Sequence, residues 1–433
     1  MPQRPSTSSS ARRPALRVGV LGAGTVGRAV VDGLLRHPER LASASPDAPS
    51  LTLAGVAVRD LTRAADAGIP AALLTDAPAH LVADPEIDVI VELLGGDEPA
   101  RTLIAAALGA GKPVVTANKH VLAHHGPDLE AAARRAGVAL RFEAAVGGGI
   151  PILGTLSGDL AANEIRRVRG IVNGTTNHIL TAMSQDGRPY DEVLADAQEL
   201  GYAEADPRGD VEGDDAVNKL VILARLAFGQ WLDPASVGRR PPTARGTGRP
   251  GITGVTDQEL EGAGALGLTI KLLATARRRG EKIEAAVVPT AVPSDSPFGW
   301  TDGITNRVEI VGEPLGTLSL AGPGAGGRAT SSAILGDLVA IARGLGSTWA
   351  GLAAASGAAC PAADPLDGPR QWYAFVPAVQ PAPLPAALAD AATVDFEDGT
   401  AVRSGIVTLD EARAAFDAIL PNGVDVTLYP VDD

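Results

Sequence analysis

The sequence predicts an α/β protein built on a doubly wound parallel sheet, and three observations lead there. Apolar strand-like runs alternate with helical patterns over the first 150 residues, the first strand runs into a glycine-spaced helix start, and longer helices with interspersed strands follow. Residues 16–22 read as the first strand, 25–36 as its helix and 51–58 (LTLAGVAV) as the second strand, which completes a β-α-β unit. The alternation continues with a strand over 87–93, a helix over 99–110, a strand over 113–116, a helix over 127–136 and a strand over 139–143. Such alternation implies a parallel sheet covered on both faces.

Beyond residue 150 the patterns predict helices over 189–201, 213–228 and 256–279, strands over 165–172 and 283–290, and a Pro/Gly/Arg-rich loop over 233–251. Residues 307–321 alternate as strands, and a glycine turn over 322–327 precedes a helix over 329–343 that is expected to return to the first domain. The stretch 344–370 reads as an Ala/Gly/Pro linker. After it, WYAFVPAV, TAVRSGIVT and DVTLYPV read as strands and 409–419 as a helix. The expected organisation is therefore a disordered tail over 1–15, a nucleotide-binding domain over 16–150, a catalytic and dimerisation domain over 151–328, the linker, and a small α+β appendage over 371–433.

Composition narrows the partners. With 37 Lys+Arg against 51 Asp+Glu over 433 residues, the net charge of −14 works against nucleic acid and acidic membranes, which need clustered cations. Cys360 is the only cysteine, so no intrachain disulfide and no cysteine-based metal site can form, and a cytoplasmic setting is expected. The opening MPQRPSTSSSARRPA lacks the apolar core of a secretory signal and reads as a frayed tail or a short presequence, and no apolar run reaches membrane-spanning length. No G-x-S-x-G elbow of a serine hydrolase occurs.

The chemistry-bearing motifs begin at Gly22-Ala23-Gly24-Thr25-Val26-Gly27. Gly22 suits a tight turn, Gly24 removes the side chain that would block a pyrophosphate, and Gly27 lets the helix pack on the strand, while the helix N-terminus attracts phosphates. The second strand ends at Arg59, which accommodates a 2′-phosphate and leans toward NADP, although the adjacent Asp60 keeps NAD open and a solvated loop charge looks the same. Lys119 follows a strand end, where open α/β sheets bind ligands, yet a surface lysine also fits. The turn Glu143 to Pro151 reads either as an interdomain hinge or as a carbonyl site for a hard cation. Carboxylates crowd Gly201 to Lys219. There Asp215 and Lys219 stand four apart in the order that favours an ion pair, and an exposed pair is the plainer reading until the apolar Leu220–Ala224 places the helix at a core. A partly desolvated lysine at such a margin can exchange a proton with a reacting oxygen.

Together these residues resemble the homoserine dehydrogenase family over about residues 16–343. The chain meets in full, from Ala197 to Lys219, the pattern A-x3-G-aliphatic/aromatic-small-x2-D-P-x2-D-aliphatic-x-G-x-D-x3-K. Glu92-Leu93-Leu94-Gly95-Gly96, Thr116-Ala117-Asn118-Lys119, Asn173-Gly174-Thr175-Thr176-Asn177 and Gly322-Pro323-Gly324-Ala325-Gly326 support it. The resemblance implies a Rossmann-type sheet with an α+β catalytic and dimerisation domain, and NAD(P)-linked reduction of L-aspartate 4-semialdehyde to L-homoserine on the way to threonine and methionine. It implies Lys219 as the acid/base, Lys119 as a second active-site lysine near cofactor and substrate, and Glu204 and Asp215 as holders of the substrate ammonium, with Asp215 orienting Lys219. Thr175 is implied at the substrate. Gly22, Gly24, Thr25, Val26, Gly27, Arg59, Lys119, Gly201, Glu204 and Gly326 are implied at the cofactor, and Glu143, Val146, Gly148 and Ile150 at a sodium ion. A homodimer is implied as well.

Two departures stand out: Gly209 occupies a position where some relatives carry an acid, and Pro381, Pro383 and Pro385 replace the glycine turn of an ACT domain, so the appendage reads as degenerate and ACT-like. Another amino-acid-pathway dehydrogenase would lack the Ala197 to Lys219 pattern. A non-catalytic nucleotide sensor would not keep Lys119, Glu204, Asp215 and Lys219 together.

Overall fold

The computed structural model describes residues 15–43, 48–355, 357–377 and 385–432. The expected tail, save Ala15, and Pro381 and Pro383 lie outside them. Two compact units are present, one made of residues 1–118, 128–144 and 326–350, the other of 119–127, 145–325 and 351–433.

In the first unit, β1 (Leu16–Leu21), β2 (Leu51–Ala57), β3 (Leu74–Thr75), β4 (Val89–Glu92), β5 (Val114–Thr116) and β6 (Leu140–Arg141) form one sheet in the order β3-β2-β1-β4-β5-β6. Every pairing is parallel, and the strand order reverses beside β1, the switch point at which open α/β sheets bind ligands. Alternate apolar residues bury Val18, Val20, Val30, Val31 and Leu34 with Ile334 and Leu338 of the helix Gly327–Ala342. That helix is tied to the end of β6, because Asp337 accepts from the Arg141 side chain (2.7 Å) and from the Glu143 N–H (2.8 Å). Two boundaries differ from the sequence reading. The strand expected over 139–143 stops at Arg141 and Glu143–Ala145 form a 3-10 turn. The helix expected from Pro127 starts at Lys119 and carries Pro127 in its interior, so the proline imitated a helix-start signal without being one.

In the second unit, β7 (Glu164–Ile171), β8 (Leu268–Arg279), β9 (Lys282–Pro293), β10 (Thr305–Glu313) and β11 (Gly316–Pro323) form an antiparallel sheet in the order β11-β10-β7-β8-β9. The single helix expected over 256–279 is wrong. A capping box between Thr256 and Glu259 starts a helix at Asp257, which ends at Ala265; Gly267 then takes a left-handed conformation (φ 72°) and the rest is β8. An apolar run with few polar interruptions does not distinguish helix from buried strand, and here pairing with both β7 and β9 decides. The helix Gly174–Asp186, not anticipated, is capped by Asn173, whose side-chain Oδ1 accepts from the Thr176 N–H (2.9 Å). The helix Asp214–Phe228 is buried along almost its whole length, including Lys219 and Arg225.

Residues 372–432 of this unit add β12 (Trp372–Pro377), β13 (Ala392–Asp395), β14 (Gly399–Arg403) and β15 (Tyr429–Pro430) in the order β13-β14-β12-β15, with the helix Leu409–Asp417. They bury a core of their own around Trp372, Val402, Phe416 and Leu428. They also hold to the five-stranded sheet and its helices, since the Tyr373 hydroxyl donates to the Glu259 carbonyl (2.6 Å) and the Asp432 N–H to the Ala291 carbonyl (3.0 Å). Among the described residues no helix is long and apolar enough to cross a membrane.

Candidate active site

In the first unit the glycine run does its work by omission. Gly22 has φ 100°, and a Cβ there would lie 2.6 Å from the Leu93 carbonyl oxygen; a Cβ on Gly27 would lie 2.1 Å from the Gly22 carbonyl oxygen. Gly24, the N-cap of the helix Thr25–Arg36, faces open space. Gly326 (φ 109°) precedes the helix Gly327–Ala342, and a Cβ on Gly327 would meet the Thr25 carbonyl oxygen at 2.9 Å, so two helix N-termini stand side by side. Paired N-termini direct unsatisfied N–H groups and positive dipole ends at one place, which suits a diphosphate. A cavity of ≈ 400 Å³ there is lined by Gly22, Gly24, Thr25, Arg59, Asp60 and Arg63 among others. Asp60 spends a carboxylate oxygen on the Arg63 N–H (2.9 Å) as a helix cap, which leaves exposed Arg59 as a cation at the end of β2. Val26 is half-buried on the first turn of the helix.

At the ends of β4 and β5, buried Glu92 accepts from the Thr116 hydroxyl (2.6 Å) and the Leu94 N–H (2.7 Å). Burial raises its pKa against those hydrogen bonds. The Asn118 amide donates to the Gly96 carbonyl (2.8 Å), so the two strand-end loops are fastened to each other.

In the second unit, one carboxylate organises the charged groups. Asp215 and Lys219 lie one turn apart on the helix Asp214–Phe228, and Lys119 begins the helix Lys119–Ala136. The Lys219 ammonium donates to Asp215 Oδ2 (2.7 Å) and to the Val172 carbonyl (2.6 Å), while Lys119 Nζ stands 3.0 Å from Asp215 Oδ1. Lys219 is 9% exposed. Burial pushes the Asp215 carboxyl up, but the Lys219 and Lys119 charges outweigh it and hold the group well below the usual carboxylate range. The same attraction raises Lys119, against its partial desolvation, with help from Asp210 and Glu204. An ammonium has three donors, and among the described residues Lys219 directs two of them to acceptors, which leaves one for a ligand oxygen.

Asn173 and Asp210 belong to this cluster, and the sequence reading gave neither a role. Asn173 Nδ2 donates to Asp210 Oδ1 (2.7 Å) and to Asp215 Oδ2 (2.9 Å), so one amide joins both acids. Burial raises the Asp210 carboxyl. Both residues stand inside the motifs read from the sequence, but nothing local shows that an amide at a helix cap will meet acids 37 and 42 positions later.

Thr175, Gly201 and Glu204 lie beside this cluster in the chain fold. The Thr175 hydroxyl donates to the Tyr202 carbonyl (2.7 Å), and Gly201 adopts φ 74° with open space around it. Glu204 is exposed, and its backbone carbonyl, not its carboxylate, accepts from Gln198 (3.0 Å). The residues expected at sodium are divided: Glu143 sits in the first unit, and Val146, Gly148 and Ile150 in the second. In the second unit the turn is tight, for Gly148 has φ 57° and its Cβ would lie 2.7 Å from the Gly324 carbonyl. The Ile150 carbonyl accepts from the Ile152 N–H (2.8 Å) and keeps a second lone pair, the type of oxygen that suits a hard cation.

Comparison with known proteins gives the same direction throughout. The family described as "Homoserine dehydrogenase" matches residues 151–339, and "Homoserine dehydrogenase, NAD binding domain" matches residues 22–143. The curated homoserine dehydrogenase of Bacillus subtilis is 41% identical over 331 residues, 76% of this chain and 74% of that protein. That of Mycobacterium tuberculosis is 46% identical over 331 residues, 75% of this chain and 72% of the relative. Among solved structures, a homoserine dehydrogenase from Thiobacillus denitrificans superposes with TM-score 0.85 at 35% identity, covering 97% of this chain and 98% of the other. A hyperthermophilic archaeal homoserine dehydrogenase in complex with NADPH superposes with TM-score 0.62 at 26% identity, covering 75% and 97%.

Proposed function

The chain belongs to the homoserine dehydrogenase family, and from that premise we propose how its residues divide the reaction. It is an NAD(P)-dependent oxidoreductase that reversibly reduces L-aspartate 4-semialdehyde to L-homoserine, a step toward threonine and methionine. The nicotinamide nucleotide, when bound, supplies the hydride.

Lys219 gives its proton to the aldehyde oxygen as that oxygen gains negative charge, and takes it back in the reverse direction. What supports this above all is the bond set of Asp215, which fixes Lys219 and Lys119 with its two oxygens while a third Lys219 donor has no acceptor among the described residues. Lys119 adds a second positive charge beside the reacting carbonyl. Asp215 and Glu204 hold the substrate ammonium, directly or through water, and Thr175 places the loop that carries Glu204. The proton gained by the oxygen leaves Lys219 neutral, and solvent restores it.

Gly22, Gly24, Thr25, Val26, Gly27 and Gly326 form the phosphate-binding part, with Lys119, Gly201 and Glu204 at the nicotinamide end. The cofactor preference is NADP, because Asp60 is engaged as a helix cap and Arg59 offers a cation to a 2′-phosphate. Sodium at Glu143, Val146, Gly148 and Ile150, a homodimer, a cytoplasmic setting and a degenerate ACT-like character for residues 371–433 complete the proposal. Oxidation of NADPH and NADH by aspartate semialdehyde tests it: turnover with a preference for NADPH is expected, and no turnover with either sinks the reading. Replacing sodium by potassium in that assay tests the ion.

A further inference from the structure

One face of the five-stranded sheet carries charges that the reaction does not use. In antiparallel register Arg167 of β7 stands directly opposite Arg277 of β8, with Arg169 two residues along on the same face. Like charges directly opposite each other destabilise a sheet. Over this face the C-terminal segments bring Pro365, Arg370 and Asp432, which with Arg167 and Arg277 enclose a cavity of ≈ 50 Å³. That is room for roughly three or four waters, or one small oxyanion.

The nearby carboxylates do not neutralise this set. Glu284 is taken by Arg277, its cross-strand neighbour, and also reaches Arg279 at 3.4 Å. Glu309 and Asp432 each hold Arg169 at 2.7 Å. Arg167 meets the same two acids only at 3.5 and 3.6 Å, beyond ordinary hydrogen-bond length. Arg370 bonds to the carbonyls of Pro365 and Gly368 and forms no ion pair among the described residues. Burial, then the neighbouring guanidinium of Arg169 for Arg167 and of Arg277 for Arg370, pulls both below the usual arginine value, as uncompensated positive charge does.

Arg277 Nη2, like Arg370 Nη2, donates to the Pro365 carbonyl (3.0 Å for Arg277). We propose that this cavity binds a small oxyanion, either a carboxylate or a tetrahedral phosphate-type anion, held by the guanidinium of Arg167 and by the remaining N–H groups of Arg277 and Arg370. Arg370 is the last residue before the appendage and is tied to it by two backbone hydrogen bonds with Val407 (3.0 and 2.9 Å), while Arg167 and Arg277 belong to the sheet, so the anion joins the entry of the appendage to the sheet and stabilises the fold.

The experiment is thermal unfolding of the full chain with saturating NADPH, which occupies the phosphate-binding residues of the first unit. Sodium phosphate and sodium acetate are titrated separately against sodium chloride at constant ionic strength. A saturable Tm rise of about 2–4 °C is expected with at least one of the two. Saturation by phosphate alone assigns the tetrahedral class, and by acetate alone the carboxylate class. The rise is expected to vanish in Arg370→Gln and in Arg167→Gln and to persist in Arg59→Gln. Arg370→Lys, which keeps the charge but loses the fork, should move the midpoint about tenfold higher in anion and serves where the glutamine variant does not fold. A non-saturating slope, or a saturable rise unchanged in the arginine variants, overturns the proposal, since solvent exclusion or another site then explains it.

Discussion

In the first unit Gly22, Gly24 and Gly27 offer backbone where side chains are missing; in the second, Asp215 is a side chain with both oxygens engaged by named partners. The first arrangement is steric and leaves no room for a side chain at Gly22 or Gly27. The second is electrostatic and tolerates nothing removed, because taking away one member of a buried charged set leaves the others uncompensated. The contrast teaches that nucleotide binding and proton transfer fail by different routes and are separable by substitution.

The most severe test of that separation is Lys219→Ala. Loss of the proton donor should lower kcat on the order of 10²–10⁴-fold while the NADPH Kd, read by nucleotide fluorescence, stays within about twofold of the parent; a large rise in Kd would break the distinction. Gly27→Ala is the converse. A Cβ 2.1 Å from the Gly22 carbonyl oxygen should weaken NADPH about 10–100-fold by displacing the turn, with kcat at saturating cofactor much less affected. A smaller change sharpens the nucleotide side: Arg59→Gln should lower the preference for NADPH over NADH about tenfold in kcat/KM, on the order of 1.4 kcal/mol, and an unchanged ratio removes Arg59 from the 2′-phosphate.

The smallest effect is a titration. Lys119 is raised above its ordinary 10.5, first by the Asp215 charge, so its contribution to stability is fully present below that pH and is lost as pH climbs through the higher folded value. Lys119→Met should therefore flatten the fall in stability above pH 10.5 in alkaline melts, and a parallel curve for the two proteins would show that the ion pair contributes nothing.

The same contrast governs how much was readable from the sequence. The helix Thr25–Arg36 and the strands around it were legible because each glycine and each apolar alternation acts within a few residues. Asp215 and Lys219 were legible as a pair because four residues make one helical turn. Lys119, 96 positions before Asp215, was marked by its place after a strand end, but its meeting with Asp215 is made by the fold, and on that spacing is silent. Asn173 had no legible role because the helix that it caps was itself not anticipated and the two acids that it joins lie 37 and 42 positions later. The helix expected over 256–279 failed because β8 is held by its neighbours, and the apolar run LTIKLLATA fits either period.

The hydroxyl of Thr175 grips the backbone of residue 202, not its side chain. A carbonyl is common to all twenty residue types, so the anchor is indifferent to what stands at that position. The Tyr202 ring has a separate task, standing edge-on to His178 with the ring centroids 4.9 Å apart, so the path of the Gly201–Glu204 loop is held at residue 202 twice, once through a carbonyl that any residue offers and once through a ring that few do.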